Sequence, residues 1–410
     1  MEARTGMLEL LRSRKQFFSL PQPFYNDPAY FALDLEGVFD RHWLFAGVSC
    51  QIPKPGDYFT LAIGKSSILV VRDRAGTIRA FHNTCRHRGS RICDAEYGHL
   101  SAIVCPYHLW TYDLTGRLRS AGRMHDSFDP EEYGLLPVSL ETIEGTIYIC
   151  LAEHPPDFAP FKEALAPYLA PHDLPNAKLA HLAHYRIGGN WKLMLENARE
   201  CFHCAVGHPE LARSFITRYD STGPEGVEGV AELWQRSAAL GLPYADVKDP
   251  GRQFRIHRLP LLKGAVSITM DGKAAVSRLL GKVTEGDIGS VRWAHYPTTF
   301  NHVMGDYAFF ARMLPLGPEE SLLTGYWLVD AGAVEGRDYD LRRLTEVWHE
   351  TNDQDRVLIE RNQAGVNSKG YRPGPYSQES ETGVINFVEW YCETMTKFLG
   401  GPRQQIARVA

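Results

Sequence analysis

Two short stretches of the chain carry cysteine and histidine pairs at spacings typical of metal ligands. The first stretch offers Cys85 and His87 as C-x-H and, after 17 further residues, Cys105 and His108 as C-x-x-H. Structural zinc sites normally pair cysteine with cysteine and histidine with histidine. Here each of two loops would supply one thiolate and one imidazole, which suits a [2Fe–2S] centre with thiolates on one iron and imidazoles on the other. A zinc site and coincidental core residues are the alternatives.

The second stretch, residues 196–210, reads ENARECFHCAVGHPE. His203 and His208 lie five residues apart, so one helix brings both imidazoles to one metal ion only if it ends between them. The pattern predicts a helix over 191–206, which a glycine and a proline then end. Two histidines and a distant carboxylate would form a 2-His-1-carboxylate triad, which leaves positions on Fe(II) open for O₂ and substrate.

The carboxylate of this triad must come from another part of the chain. A helix is predicted over 337–365, and Asp355 lies on its apolar face with Trp348 and Ile359, whereas Asp353 lies among charged residues. A buried acid is costly unless it is paired or bound to metal. Asp355 is therefore the predicted third ligand, and a structural acid with satisfied hydrogen bonds is the alternative.

Four other polar residues surround the first histidine of the triad. On the predicted helix Glu196 and Glu200 share a face with His203. Cys201 and Cys204 form a C-x-x-C pair, which is compatible with zinc or redox chemistry. We interpret them instead as two small apolar side chains beside the metal helix, because soft thiols are readily oxidised near an oxygen-activating iron.

The elements that must position these residues divide the chain into three parts. Short segments rich in β-branched and aromatic residues fill the region from 44 to 152, and a proline-rich boundary follows at 154–161. The second half has strands and then two helical stretches, 337–365 and 382–399. We predict an α+β fold: a helical segment (1–43) that packs on the catalytic domain, an all-β domain (44–155) and a catalytic domain of antiparallel sheet and helices (156–410).

Composition narrows the possible functions further. The 410 residues carry 44 basic and 49 acidic side chains, for a net charge of −5. There is no basic field for nucleic acid, no clustered Lys/Arg tract for a membrane surface and no apolar run long enough to span a bilayer. The N-terminus lacks the apolar core of a secretory signal, so we expect a cytoplasmic protein.

The two stretches together resemble the Rieske non-haem iron oxygenases. The carrying motifs are C-R-H-R-G…C-P-Y-H-x-W-T-Y and N-W-K…E-N…E-C-F-H…H-P-E. The resemblance implies an all-β Rieske [2Fe–2S] domain and a helix-grip catalytic domain. It assigns the cluster to Cys85, His87, Cys105 and His108, and the mononuclear iron to His203, His208 and Asp355. It also implies that Glu200 bridges the cluster of a neighbouring subunit to the catalytic iron.

Within that family the chain is most similar to betaine N-demethylases, which act on proline betaine (stachydrine) or glycine betaine. The resemblance implies a monooxygenase that hydroxylates an N-methyl carbon with O₂, so that formaldehyde is released. It also implies a homotrimer and a separate flavin/iron–sulfur reductase that draws electrons from NAD(P)H. Hydroxylation of an aromatic ring is the alternative within the family, and a pure electron carrier is the alternative outside it.

A quaternary ammonium group cannot be hydrogen-bonded through its nitrogen, so its pocket should offer aromatic faces. Candidates on or beside the predicted sheet are Trp293, Tyr296, Phe300, Tyr307, Phe309 and Trp327.

Overall fold

The computed structural model describes residues 2–216 and 224–400 and begins with a helical N-terminal segment. Its helices are α1 (Glu2–Ser13), α2 (Pro23–Asn26) and α3 (Pro28–Asp34). Helix α1 packs against the C-terminal helix of the chain. Asp34 forms a fully buried ion pair with Lys192 and accepts hydrogen bonds from Trp191 Nε1 at 3.0 Å and from the Tyr391 hydroxyl at 2.6 Å. This network joins the N-terminal segment to the second half of the chain.

The next part of the chain forms two antiparallel sheets. One has seven strands and is called the first sheet, and the other is a small sheet of three strands. The first sheet has the order β1-β10-β9-β4-β3-β2-β5 and the small sheet has the order β6-β7-β8. Their strands are β1 (Leu44–Val48), β2 (Asp57–Ile63), β3 (Ser66–Arg72), β4 (Ile78–His82), β5 (Tyr97–His99), β6 (Ile103–Val104), β7 (Thr111–Tyr112), β8 (Leu118–Ser120), β9 (Pro137–Ile143) and β10 (Thr146–Cys150).

The remaining residues build a second antiparallel sheet of seven strands with helices on it. Its order is β11-β17-β16-β15-β14-β13-β12. The strands are β11 (Lys178–Ile187), β12 (Val247–Lys248), β13 (Phe254–Leu259), β14 (Ser290–His295), β15 (Thr299–Val303), β16 (Tyr307–Gly317) and β17 (Glu320–Val329). The helices are α4 (Ala159–Leu169), α5 (Trp191–Ala198), α6 (Cys204–Gly207), α7 (Pro224–Ala239), α8 (Leu341–Val366) and α9 (Thr382–Gly400).

Side chains along the strands of the second sheet alternate between its two faces, and each face packs in a different core. Trp293 on β14 and Phe310 on β16 pack in a core shared with α4 and the first sheet. Phe309 and Met313 on β16 pack in the other core, with α5, α8 and α9. Successive side chains of a strand point to opposite faces, so residues such as Arg292 point towards the helices.

The predicted α+β fold is confirmed, with an all-β part followed by an antiparallel sheet packed against helices. The division of the chain at residues 43 and 155 stays a prediction. Among the described residues, no helix is both long and apolar enough to cross a membrane.

The predicted helix over 191–206 is wrong in its extent. Helix α5 ends at Ala198, and α6 begins at Cys204. Between them the Glu200 carboxylate accepts a hydrogen bond from the Phe202 N–H, a contact in which a side chain replaces the helical backbone acceptor. The shared face predicted for Glu196, Glu200 and His203 is therefore absent. Glu196 is buried instead.

Candidate active site

The four residues of the first stretch lie together at the tips of two loops. Cys85 follows β4 and Cys105 follows β6, and both thiols are buried. His87 and His108 are exposed, and their ring centroids lie 4.6 Å apart at an interplanar angle of 77°. The thiols therefore lie on the inner side and the imidazoles on the outer side.

Neighbouring side chains hold these loops in place. The Tyr112 hydroxyl lies 3.3 Å from Cys85 Sγ and accepts a hydrogen bond from the Arg86 N–H at 3.1 Å. Trp110 stacks on His87, with centroids 4.9 Å apart. Burial raises the pKa of the Cys85 thiol, so a thiolate there needs a positive partner such as iron. Two buried thiols and two outward imidazoles fit the donor set of a Rieske cluster.

The second stretch brings three donor atoms from two helices to one point. His203 and His208 flank the single turn of α6, and the His208 N–H closes that turn on the Cys204 carbonyl at 2.9 Å. Their Nε2 atoms lie 3.1 Å apart. Asp355 Oδ1, from α8, lies 3.3 Å from His203 Nε2 and 3.0 Å from His208 Nε2.

These three distances fit the coordination of one metal ion. Adjacent ligands with bonds of about 2.1 Å lie about 3.0 Å apart around an octahedral ion and about 3.4 Å apart around a tetrahedral ion. The Nε2 atoms of His203 and His208 and the Oδ1 atom of Asp355 form a triangle, here called the donor triangle. Its three edges, 3.0, 3.1 and 3.3 Å, fall within this interval. The spacing of His203, His208 and Asp355 is therefore compatible with a facial triad.

The outer nitrogen of each imidazole is bound, so that the inner nitrogen faces the metal position. His203 Nδ1–H donates to Glu200 Oε1. His208 Nδ1–H donates to Gln354 Oε1 at 2.8 Å, and Gln354 Nε2 donates to Glu210 Oε2 at 2.7 Å. Such contacts fix the tautomer and orientation of metal-bound histidines.

The charges of the triad are mutually stabilising. Burial opposes protonation of His203, but hydrogen bonds to Asp355 and Glu200 outweigh it and raise the pKa of His203 to about 9. Burial likewise opposes protonation of His208, yet its contacts with Asp355 raise its pKa. Burial alone would raise the pKa of Asp355, and the two histidines lower it. The donor triangle thus stabilises the ionised carboxylate of Asp355 beside positive charge. A bound divalent cation would supply that positive charge in place of the histidine protons.

Glu196 does not reach this triangle. Its carboxylate accepts hydrogen bonds from the Tyr25 hydroxyl at 2.8 Å and from the Tyr376 hydroxyl at 2.9 Å. Burial raises the pKa of Glu196 to about 7 despite these contacts. Its role is to join the N-terminal segment, α5 and the chain before α9.

Cys201 and Cys204 are joined by a disulfide bond, so their interpretation as two separate apolar side chains is wrong. Their Cα atoms lie 4.9 Å apart, within the range that a disulfide spans. The bond closes the loop that carries His203.

The triad lies on the wall of a cavity of about 580 Å³ between the second sheet, α5, α6 and α8. Of the aromatic residues predicted for a cation pocket, Tyr296 and Phe300 line it. Trp293 also borders it, but its indole N–H donates to the Tyr148 hydroxyl at 3.1 Å on the other side of the sheet. The other three, Tyr307, Phe309 and Trp327, are fully buried core residues.

Sequence reasoning missed four residues of the site. Gln354 directly precedes the predicted ligand Asp355, and this position in the sequence is a signal that could have identified it. Trp348 belongs to the predicted apolar face of the helix, and its side chain borders the cavity as well. Phe215 and Arg292 also line the cavity, and no local pattern in the sequence marks them.

Two family models match the chain. A model described as the catalytic domain of the ring hydroxylating alpha subunit matches residues 175–397, and a model described as the Rieske [2Fe-2S] domain matches residues 42–136.

Similar curated proteins include glycine betaine monooxygenase oxygenase subunits. The Pseudomonas aeruginosa UCBPP-PA14 protein is 47% identical over 413 residues, which cover 100% of this chain and 96% of the relative. The Chromohalobacter salexigens protein is 46% identical over 398 residues, which cover 96% of this chain and 89% of the relative.

Solved structures share the fold. A quaternary ammonium Rieske monooxygenase matches with a TM-score of 0.73 and 21% identity, over 95% of this chain and 98% of that one. Naphthalene 1,2-dioxygenase from Rhodococcus sp. matches with a TM-score of 0.68 and 18% identity, over 97% and 98%.

Proposed function

The chain belongs to the family of Rieske-type non-haem iron oxygenases, and from that membership we propose that it is the oxygenase component of a monooxygenase that N-demethylates a quaternary ammonium betaine. Glycine betaine and proline betaine are the proposed substrates. Relatives at 47% and 46% identity are named glycine betaine monooxygenase oxygenase subunits, which favours the first of the two.

The observation that carries this proposal is the cavity beside the donor triangle. Tyr296, Phe300 and Trp348 line it together with the triad. A quaternary ammonium group has no N–H to donate, and aromatic faces stabilise such a cation by about 0.5–2 kcal/mol each. A cavity that combines these rings with an iron site suits a substrate whose N-methyl group is the reacting group.

In this proposal His203, His208 and Asp355 hold the mononuclear iron, and Cys85, His87, Cys105 and His108 hold the [2Fe–2S] cluster. When bound, the two groups supply O₂ activation with electrons delivered one at a time. Glu200 and Gln354 orient the imidazoles through their Nδ1 atoms. The cavity wall orients the substrate so that one N-methyl group lies nearest the triad.

The overall reaction balances without a further reactant. Conversion of an N-methyl group to an N-hydroxymethyl group consumes one O₂, two electrons and two protons and releases one water. The hydroxymethyl group then loses its hydroxyl proton, and its C–N bond breaks with the electron pair going to nitrogen. Formaldehyde and a tertiary amine result. A separate reductase, proposed to be a flavin/iron–sulfur protein that oxidises NAD(P)H, supplies the electrons.

We also propose that three copies assemble head to tail, with Glu200 between the cluster of one subunit and the iron of the next. Exposed apolar residues support this arrangement on both sides. Leu109 and Tyr107, beside the cluster loops, are 67% and 56% exposed, and Val206, in α6, is 91% exposed. Mass photometry should give a trimer, and Glu200→Gln should keep both iron sites while electron transfer between them slows strongly. A monomer that turns over normally would refute the arrangement.

The function is tested by formaldehyde release. The protein, loaded at both iron sites, is mixed with a Rieske-type reductase and NADH and offered glycine betaine, proline betaine, carnitine, choline and naphthalene. Formaldehyde formed in step with NADH use for one betaine is the expected result. Absence of formaldehyde with every betaine, although both iron sites are occupied and reducible, would overturn the proposal, and a hydroxylated naphthalene would identify a ring-hydroxylating enzyme instead.

A further inference from the structure

We infer that Arg292, on strand β14, anchors the carboxylate of the substrate in the cavity beside the donor triangle. This inference rests on the proposed function and deepens it, because it assigns the part of the cavity that distinguishes a betaine from a quaternary amine without an acid group.

Among the residues that the structure describes, Arg292 has no counter-ion. It lines the cavity, yet no hydrogen bond or ion pair joins it to any residue that the structure describes. Its Nε is buried without an acceptor. Burial lowers the pKa of Arg292 to about 9, so the side chain remains largely charged at neutral pH. An arginine in such surroundings is normally paired, since an isolated buried charge is costly.

The contact that the structure does give Arg292 is aromatic. Its guanidinium carbon lies 4.0 Å from the centroid of the Phe215 ring. Stacking of this kind fixes the plane of a guanidinium and leaves its edge free for two parallel hydrogen bonds. A carboxylate is the group whose geometry matches that edge.

Two histidines also line the cavity, and together with Arg292 they form what we call its polar wall. His257, on β13, lies directly opposite Arg292 in the sheet register, and its Nδ1 is buried without a hydrogen-bond partner. His302, on β15, likewise has a buried Nε2 without a hydrogen-bond partner. Burial and then the nearby arginines, Arg255 and Arg292, lower the pKa of His257 to about 3. The ring is therefore neutral and can donate one N–H without adding charge.

An acid that lies close to this wall is already neutralised. Asp246 lies 3.8 Å from His257 Nδ1, but Arg255 binds both of its carboxylate oxygens at 2.8 Å. Of the described cavity residues, Arg199 is the other arginine without an acid partner, and one of its terminal nitrogens donates to the Thr299 carbonyl at 2.8 Å. Arg292 has no such acceptor in the part of the chain that the structure describes, so the anion is expected there.

The position of this wall suits a zwitterion. The ring of His302 lies 4.9 Å from Phe300 and 4.9 Å from Trp348, centroid to centroid. Donors for an anion and faces for a cation thus adjoin in one cavity, and a betaine carries both groups a few bonds apart. Choline, which has no carboxylate, leaves the guanidinium as it is in the empty cavity, so its binding gains nothing from Arg292.

The test is steady-state formaldehyde release by Arg292→Gln and Arg292→Lys, with glycine betaine and choline as substrates. Because the carboxylate does not react, its loss of binding should raise KM and leave kcat nearly unchanged. We expect the KM for glycine betaine to rise about 10- to 100-fold in Arg292→Gln, as for loss of a hydrogen bond to a charged group. Arg292→Lys should recover part of the loss, and the KM for choline should change less than about threefold.

The matched control is Arg236→Gln. Arg236 is exposed on α7 and pairs with Asp287 at 2.8 Å, away from the cavity. Cluster absorbance and circular dichroism report folding for each variant, and Arg292→Lys decides the matter if Arg292→Gln does not fold. A KM for glycine betaine within twofold of wild type in the folded variant would overturn the anchor and leave the proposed function intact. Inactivity of the wild type with every betaine would instead overturn the proposed function.

Discussion

Replacement of Gln354 by methionine should weaken the mononuclear iron site and leave the [2Fe–2S] cluster unchanged. Methionine keeps the length of the side chain but offers His208 no strong acceptor. When His208 binds a metal through Nε2, its proton must lie on Nδ1, where Gln354 Oε1 accepts it at 2.8 Å. Without metal the proton can lie on Nε2 instead, 3.0 Å from Asp355 Oδ1. The substitution therefore penalises the metal-bound state specifically.

The magnitude follows from two independent considerations. The His208 side chain is 1% exposed, and a buried donor without a partner costs about 1–3 kcal/mol. Loss of a residue that orients a metal ligand typically costs about 10- to 100-fold in affinity, or about 1.4–2.7 kcal/mol. The two ranges agree, so we expect the Fe(II) dissociation constant to rise about 10- to 100-fold.

The assay is anaerobic competition for Fe(II) against a chromophoric chelator, with the visible absorbance of the cluster as an internal control. Asp353→Asn is the matched variant, because Asp353 lies on the same helix and pairs with Arg356 at 3.0 Å in an exposed position. Its Fe(II) affinity should equal that of the wild type. A folded Gln354→Met variant that binds Fe(II) within twofold of the wild type would refute the reasoning on His208.

Three further substitutions test other parts of the account. Asp355→Asn should abolish mononuclear iron binding and formaldehyde release while the cluster absorbance persists; retention of stoichiometric iron would contradict its assignment as a ligand. Lys192→Met leaves the buried carboxylate of Asp34 unpaired and should lower the free energy of unfolding by about 3–5 kcal/mol, measured by denaturant titration. A loss below about 1 kcal/mol would show that the pair is dispensable. Because burial raises the pKa of Glu196 to about 7, its contribution to stability is lost as the pH rises from about 4.5 to about 7. Glu196→Gln should therefore gain about 2.5 kcal/mol relative to wild type between pH 5 and pH 8, and a pH-independent difference would contradict this.

The candidate ligands could be proposed from the sequence because the chemistry that marks them is local. The C-x-H and C-x-x-H spacings mark Cys85 and Cys105 as halves of one site, and the five-residue spacing from His203 to His208 requires a helix end. Asp355 followed from the apolar face of its helix. In each case the side-chain type and a short spacing carry the information.

The rest of the site depends on contacts that no spacing encodes. The helix before His203 ends early because the carboxylate of Glu200 replaces a backbone acceptor, and helix periodicity does not register such competition. Arg292 gains its significance from the register that sets it opposite His257 and from the ring of Phe215. Register and long-range packing arise only when the sheet assembles.

The most direct test of the central claim uses glycine betaine labelled with ¹³C in its N-methyl groups. The protein with both iron sites filled, a Rieske-type reductase and NADH should convert it to ¹³C-formaldehyde and the dimethylated amine in equal amounts, with one O₂ consumed for each. NADH and O₂ consumption without labelled formaldehyde, or an unchanged label in the betaine, would contradict N-demethylation as the reaction of this site.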